Sequence, residues 1–68
     1  MSAVIRVNGK DEQVSAATVA ELLAARGIIK PKGVAVALNG AVVPASGWAA
    51  ARLSAGDRIE IVKPFGGG

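Results

Sequence analysis

The chain has 68 residues, with eight Lys or Arg against five Asp or Glu, for a formal net charge of +3. It contains no Cys and no His. That excludes a disulfide framework, a thiolate nucleophile, a Cys-ligated metal and histidine acid–base chemistry near neutrality. The length allows one domain with a small core, and that core must be aliphatic: 51% of residues are hydrophobic, while Trp48 and Phe65 are the two aromatics. The carboxylates are scattered, so an independent enzyme active site is not expected. The basic residues (Arg6, Lys10, Arg26, Lys30, Lys32, Arg52, Arg58, Lys63) are dispersed and have no aromatic interleaved for base stacking. They read as solvated surface charge rather than a nucleic-acid interface. No apolar run is long enough to span a bilayer and the N-terminus lacks a signal-peptide layout, so a soluble, cytoplasmic protein is expected.

Ala3-Val4-Ile5-Arg6-Val7 is β-branched and loosely alternating, which predicts a strand. Asn8-Gly9 is a hairpin turn signal, because both residues tolerate positive φ, and Lys10 to Val14 is the return strand. Ser15-Ala16-Ala17 crosses to a helix. Thr18 and Glu21 stand at capping-box spacing before Val19, Leu22 and Leu23, which share one helical face. Both are read as capping residues, not catalytic ones. Arg26 suits the negative end of the helix dipole, Gly27 is a left-handed C-cap, and the helix ends before Pro31.

Val34-Ala35-Val36-Ala37-Leu38 alternates large and small. The large face should meet the helix and the small face, Ala35 and Ala37, should lie on the outside of the sheet. That small face is either ordinary exposed sheet or a docking surface that another backbone can approach closely. Asn39-Gly40 is the second hairpin signal, and Ala41-Val42-Val43 returns until Pro44 ends the ladder. Trp48-Ala49-Ala50-Ala51 suits one helical turn, with Trp48 as a core or lid residue and Leu53 filling the core. Ser54-Ala55-Gly56-Asp57 is a turn. Arg58-Ile59-Glu60-Ile61-Val62 is the last strand, with Ile59 and Ile61 inward and Arg58, Glu60 and Val62 outward.

The order hairpin, helix, hairpin, turn, strand predicts an α+β, ubiquitin-like β-grasp fold. Its mixed sheet of four to five strands carries one main helix on one face, with the first and last strands parallel at the centre. Residues 1–62 form this domain. Residues 63–68, Lys63-Pro64-Phe65-Gly66-Gly67-Gly68, read as a flexible tail ending in a free carboxylate. Pro64 sets a stiff exit, Phe65 can anchor in a partner, and Gly66 and Gly67 are thin enough to thread a narrow cleft. Six residues beyond Val62, at roughly 3.3 Å each, reach about 20 Å. Ordering such a tail costs roughly 1–2 kcal/mol per residue, so the domain must contribute compensating contacts. The candidate docking residues are Ala35, Ala37, Arg58, Glu60 and Val62.

The run Val34-Ala35-Val36-Ala37-Leu38-Asn39-Gly40-Ala41-Val42-Val43-Pro44, then Trp48, then Leu53 to Val62, ending in Gly67-Gly68, resembles the ThiS family. These are ubiquitin-like sulfur carriers of bacterial thiamine biosynthesis. The resemblance covers essentially the whole chain. The sibling family, the small subunit of molybdopterin synthase, tends to be longer and often has two prolines before the glycines, where this chain has Pro64. Gly66 stands where the ThiS family more often has a side chain. The resemblance implies that Gly68 is adenylated by a ThiF-like activating enzyme using ATP and Mg²⁺. It implies that persulfide sulfur from a donor such as a cysteine desulfurase then displaces AMP. The resulting thiocarboxylate passes sulfur to a ThiG-like thiazole synthase, and the chain itself is a protein co-substrate that binds no cofactor. The alternatives are a molybdopterin synthase subunit, a non-covalent ubiquitin-like interaction module and a modifier that ends in isopeptide bonds.

Overall fold

Two Asn-Gly pairs set the sheet. In the computed structural model, which describes residues 2–29 and 32–63, Asn8 and Gly9 have φ of 50° and 83°, and Asn39 and Gly40 have 51° and 85°. Two successive left-handed residues give a turn whose twist matches that of a hairpin. The first turn joins β1 (Ala3–Val7) to β2 (Lys10–Val14), in register from Ala3 opposite Val14 to Val7 opposite Lys10. The second joins β3 (Ala35–Leu38) to β4 (Ala41–Val42). β4 is one residue shorter than the sequence predicts. Val43 still donates its N–H to the Val36 carbonyl at 2.8 Å, but Pro44 has no N–H with which to continue.

The helix α1 (Val19–Ala25) begins and ends where its local chemistry directs. The Thr18 hydroxyl accepts from the Glu21 N–H at 3.2 Å, and the Glu21 carboxylate accepts from the Ala17 N–H at 2.8 Å. The reciprocal cap is therefore shifted back by one residue relative to the usual box. At the other end Gly27 takes φ of 81°. Its N–H donates to the Ala24 carbonyl at 3.0 Å, and the Ile28 N–H donates to the Leu23 carbonyl at 2.8 Å. These are the two bonds of a Schellman motif, and Ile28 packs back on the core as that motif favours. Arg26, the C-cap residue, also reaches the Glu12 carboxylate of β2 at 2.8 Å.

The first two amides of the helix find partners that local patterning does not show. The Val19 N–H donates to the Ala51 carbonyl at 2.9 Å and the Ala20 N–H to the Trp48 carbonyl at 3.0 Å. Amides that a helix leaves open are thus closed by a distant segment. That segment coils earlier than expected. A 3₁₀ turn occupies Ala45–Gly47, where the sequence suggests a turn from Trp48 to Ala51. Pro44, with φ of −64°, sets it off, because its carbonyl accepts from the Gly47 N–H at 2.7 Å. The coil runs on until the Ala51 N–H meets the Gly47 carbonyl at 3.0 Å. Trp48 is a core residue, and its indole N–H donates to the Val43 carbonyl at 2.9 Å.

The last strand, β5 (Arg58–Val62), enters the middle of the sheet, whose order is β2-β1-β5-β3-β4. It runs parallel to β1, with Arg6 beside Arg58 and Val7 beside Ile59. It runs antiparallel to β3 from Leu38 opposite Ile59 to Ala35 opposite Val62. Val19, Leu22 and Leu23 of α1 pack with Ile5, Val7, Val36, Ile59, Ile61 and Trp48 into one buried cluster. Val34, Leu38 and Leu53 flank it. A five-stranded mixed sheet with its first and last strands parallel at the centre and one helix across one face is a ubiquitin-like β-grasp fold. Replacing Thr18 with Ala removes the hydroxyl that accepts from Glu21. It should cost about 1 kcal/mol of stability, read as a lower urea midpoint at unchanged slope.

Candidate functional site

Strand β5 alternates strictly, with Ile59 and Ile61 buried and Arg58, Glu60 and Val62 exposed. Facing residues of paired strands share a face, and Ala35 lies opposite Val62 while Ala37 lies opposite Glu60. The five candidate docking residues therefore sit together on the outer face, away from α1. Ala35 is exposed and Ala37 half-buried. Val42, opposite Ala37, is 79% exposed and extends the apolar half of this face beside Val62 at 60%.

Arg6 belongs to the same face, and sequence reading passed over it. Its alternation in β1 places it outward, and the parallel register sets it beside Arg58. Two guanidinium-bearing residues thus stand side by side on adjacent strands. The signal was available in the expected pairing of first and last strands, but only a register makes it specific. Arg6 Nε lies 3.3 Å from Asp11 Oδ1, with both side chains more than half exposed. Solvent screens such a pair heavily. Arg58 has no ion-pair partner among the described residues. A concavity of about 410 Å³ runs over this region, lined by Arg6, Gly9, Gly40, Arg58, Ile59 and Glu60. The outer face therefore gathers its charge, Arg6 and Arg58 with Asp11 and Glu60, over β1 and the start of β5, and is apolar over β3, β4 and the end of β5.

The two hairpin asparagines hold β5 as well as turning the chain. Asn39 Oδ1 accepts from the Arg58 N–H at 2.9 Å, and its Nδ2 donates to Asp57 Oδ1 at 3.1 Å. Asp57 Oδ2 in turn accepts from the Ser54 N–H at 2.8 Å, which closes the turn into the strand. Asn8 Oδ1 accepts from the Ile61 N–H at 2.8 Å, and its Nδ2 donates to the Ile61 carbonyl at 3.2 Å. One asparagine thus fastens the start of the strand and the other its end.

Val62 closes β5 and Lys63 follows it. The expected tail residues Pro64, Phe65, Gly66, Gly67 and Gly68 lie outside the described residues. Among the described residues no polar or charged side chain is buried, and no group of three or more carboxylates is placed to hold a metal ion. Nor is any helix there long and apolar enough to cross a membrane. The described surface next to Lys63 is the outer face of the sheet, with Ala35 opposite Val62.

The ThiS family model matches residues 4–68. Two solved structures are similar in both fold and sequence. One is the crystal structure of a thiamine biosynthesis protein (ThiS) from Geobacter metallireducens, with 35% identity and a TM-score of 0.77, covering 96% of this chain and 99% of that one. The other is an NMR solution structure of a thiamine biosynthesis protein from Geobacter metallireducens. It has the same identity and TM-score and covers 96% of this chain and 87% of that one. A search of curated proteins gives no match. The family match begins inside β1 and runs through α1, both hairpins, β5 and the terminal glycines, and the chain belongs to the ThiS family.

Proposed function

We propose that this chain is a cytoplasmic sulfur carrier of thiamine biosynthesis, and that the group it carries sulfur on is the Gly68 carboxylate. The observation that supports this most is the extent of the family match, which runs through Gly68 and so includes the glycine end. The placement of β5 agrees with it, because the strand at the centre of the sheet is the one the tail continues.

A terminal carboxylate has an ordinary pKa of about 3.3–3.7 and is ionised at neutral pH, so it is a poor electrophile. It gains a leaving group when its oxygen attacks the α-phosphorus of ATP on a ThiF-like, Mg²⁺-using enzyme and pyrophosphate departs. The acyl-adenylate carbon then accepts persulfide sulfur from a donor such as a cysteine desulfurase, and AMP leaves. A thiol cleaves the remaining S–S bond, and the thiocarboxylate is left for a ThiG-like thiazole synthase. Gly66 and Gly67 present no side chain to a narrow cleft, Pro64 restricts the bend and Phe65 anchors in the partner. Ala35, Ala37 and Val62 give the partner a smooth apolar strip, while Arg58 and Glu60 fix its orientation by charge. The role of this chain is that of a substrate acted on by partner enzymes.

Incubation with the adenylating enzyme, ATP and a sulfur source should raise the intact mass by the exchange of one oxygen for sulfur. Removal of Gly68 should abolish that change and leave the circular dichroism spectrum as it was. A chain lacking Gly68 that still delivered sulfur would refute the assignment. Charge reversal of Arg58 and Glu60 together should weaken binding to the adenylating enzyme by roughly tenfold, about 1.4 kcal/mol, with the fold intact. Unchanged affinity in a titration would remove the outer face from the docking assignment.

A further inference from the structure

The two edges of β5 are held differently where the tail begins. On the β3 side the ladder runs on to Ala35 opposite Val62. On the β1 side the backbone register covers Arg6 with Arg58 and Val7 with Ile59. The last backbone bond there is from the Asn8 N–H to the Ile59 carbonyl at 3.0 Å. The chain then turns away through Gly9, at φ of 83°.

Ile61 comes next on β5, with its side chain in the core at 7% exposure. Its N–H and carbonyl have no strand residue beside them on the β1 side. The Asn8 side chain takes that place, accepting from the Ile61 N–H at 2.8 Å and donating to the Ile61 carbonyl at 3.2 Å. A primary amide presents a carbonyl acceptor and an N–H donor side by side on one edge, so it can meet both the N–H and the carbonyl of one strand residue and extends the ladder by one residue without extending the strand. Asn is also the residue that sits at φ of 50° with little strain, which lets one side chain serve both turn and ladder.

We infer that Asn8 is a positioning residue for the tail. By holding the last inward residue of β5 it fixes the point and direction in which Lys63 leaves the sheet. This rests on the reading of Gly68 as the group acted on. A reactive end must arrive at one point in a partner, and an angular error at the root is carried along the whole reach of the tail. With Asn8 in place, the end of β5 is held by Asn8 at Ile61 on one edge and by β3 at Val62 on the other. Without it, the backbone of Val62 and Lys63 loses one of its two supports. The chemistry at a seated carboxylate is unaffected, so the cost falls on productive binding and not on turnover.

Asn39 is the internal control, because it fastens the other end of the same strand through the Arg58 N–H. The comparison is between Asn8→Asp, Asn8→Gly and Asn39→Gly, each confirmed as folded by circular dichroism. Asn8→Asp keeps the acceptor and the turn but sets a carboxylate oxygen against the Ile61 carbonyl. Asn8→Gly removes both bonds and leaves the left-handed turn unstrained. Amide exchange and ¹⁵N heteronuclear NOE at Ile61, Val62 and Lys63 are read first, and the adenylation kinetics of the carrier second.

Asn8→Gly should speed exchange at Ile61, and both Asn8 variants should lower the NOE at Val62 and Lys63. They should raise KM for the carrier by roughly five- to thirtyfold, the effect of freeing about one residue of backbone, with kcat unchanged. Asn39→Gly should loosen Arg58 and leave exchange at Ile61 and the NOE at Val62 and Lys63 as they were. Folded Asn8 variants with unaltered Lys63 dynamics would overturn the inference, and so would an Asn39→Gly variant that loosened Lys63 as far. The NMR arm needs no partner, so it judges Asn8 alone. A wild-type chain that is never adenylated refutes the proposed function instead.

Discussion

The fold depends on a parallel pairing that is short. β1 and β5 meet over Arg6 with Arg58 and Val7 with Ile59, and this contact joins the N-terminal hairpin to the rest of the sheet. Parallel strands cannot be linked by a tight turn, so the chain must travel over the sheet between them. It uses that passage to lay down α1, whose Val19, Leu22 and Leu23 cover Ile5, Val7, Ile59 and Ile61. The pairing is prolonged at both ends, by one side chain and by one backbone bond. Asn8 prolongs it by bonding to Ile61, and the Gly56 N–H reaches the Val4 carbonyl at 2.9 Å to begin it.

What the sequence shows clearly is what depends on neighbours in the chain. Positive φ at Asn8 and Asn39, the Thr18 cap, the left-handed Gly27 and the alternation in β3 and β5 each follow from a few consecutive residues. Distant partnerships are not legible in this way. The amide of Asn8 bonds to Ile61, 53 residues later, yet in sequence it is only the first half of a turn signal. The same holds for the carbonyls of Trp48 and Ala51 at the start of α1, and for the bridge between Thr18 and Arg52. Arg6 was visible as an outward residue, but its place beside Arg58 needed the register. Of the site, the grouping of Ala35, Ala37, Arg58, Glu60 and Val62 on one face follows from strand periodicity alone.

The proposed division of labour within the chain has a physical basis. The sheet presents a broad outer face on which Arg6 and Arg58 lie with Asp11 and Glu60, while Ala35, Val42 and Val62 form an apolar part. Small side chains at Ala35 and Ala37 keep part of that face low. On the proposed reading, recognition and reactivity can be adjusted separately, because the proposed docking residues are on the sheet while the residues after Val62 continue its central strand.

The position of β5 also bears on how the molecule is made. It follows every other strand in the sequence and yet lies between β1 and β3. While it is missing, the β1–β2 and β3–β4 hairpins share no strand contact, and a lone hairpin is marginally stable in water. A nascent chain that stops before Arg58 therefore has no continuous sheet and no seat for Ile59 or Ile61, and its aliphatic core stays open to proteases and to other chains. The sheet closes only when synthesis has passed Val62, next to the residues of the tail. A chain that has folded has therefore been translated at least as far as Val62.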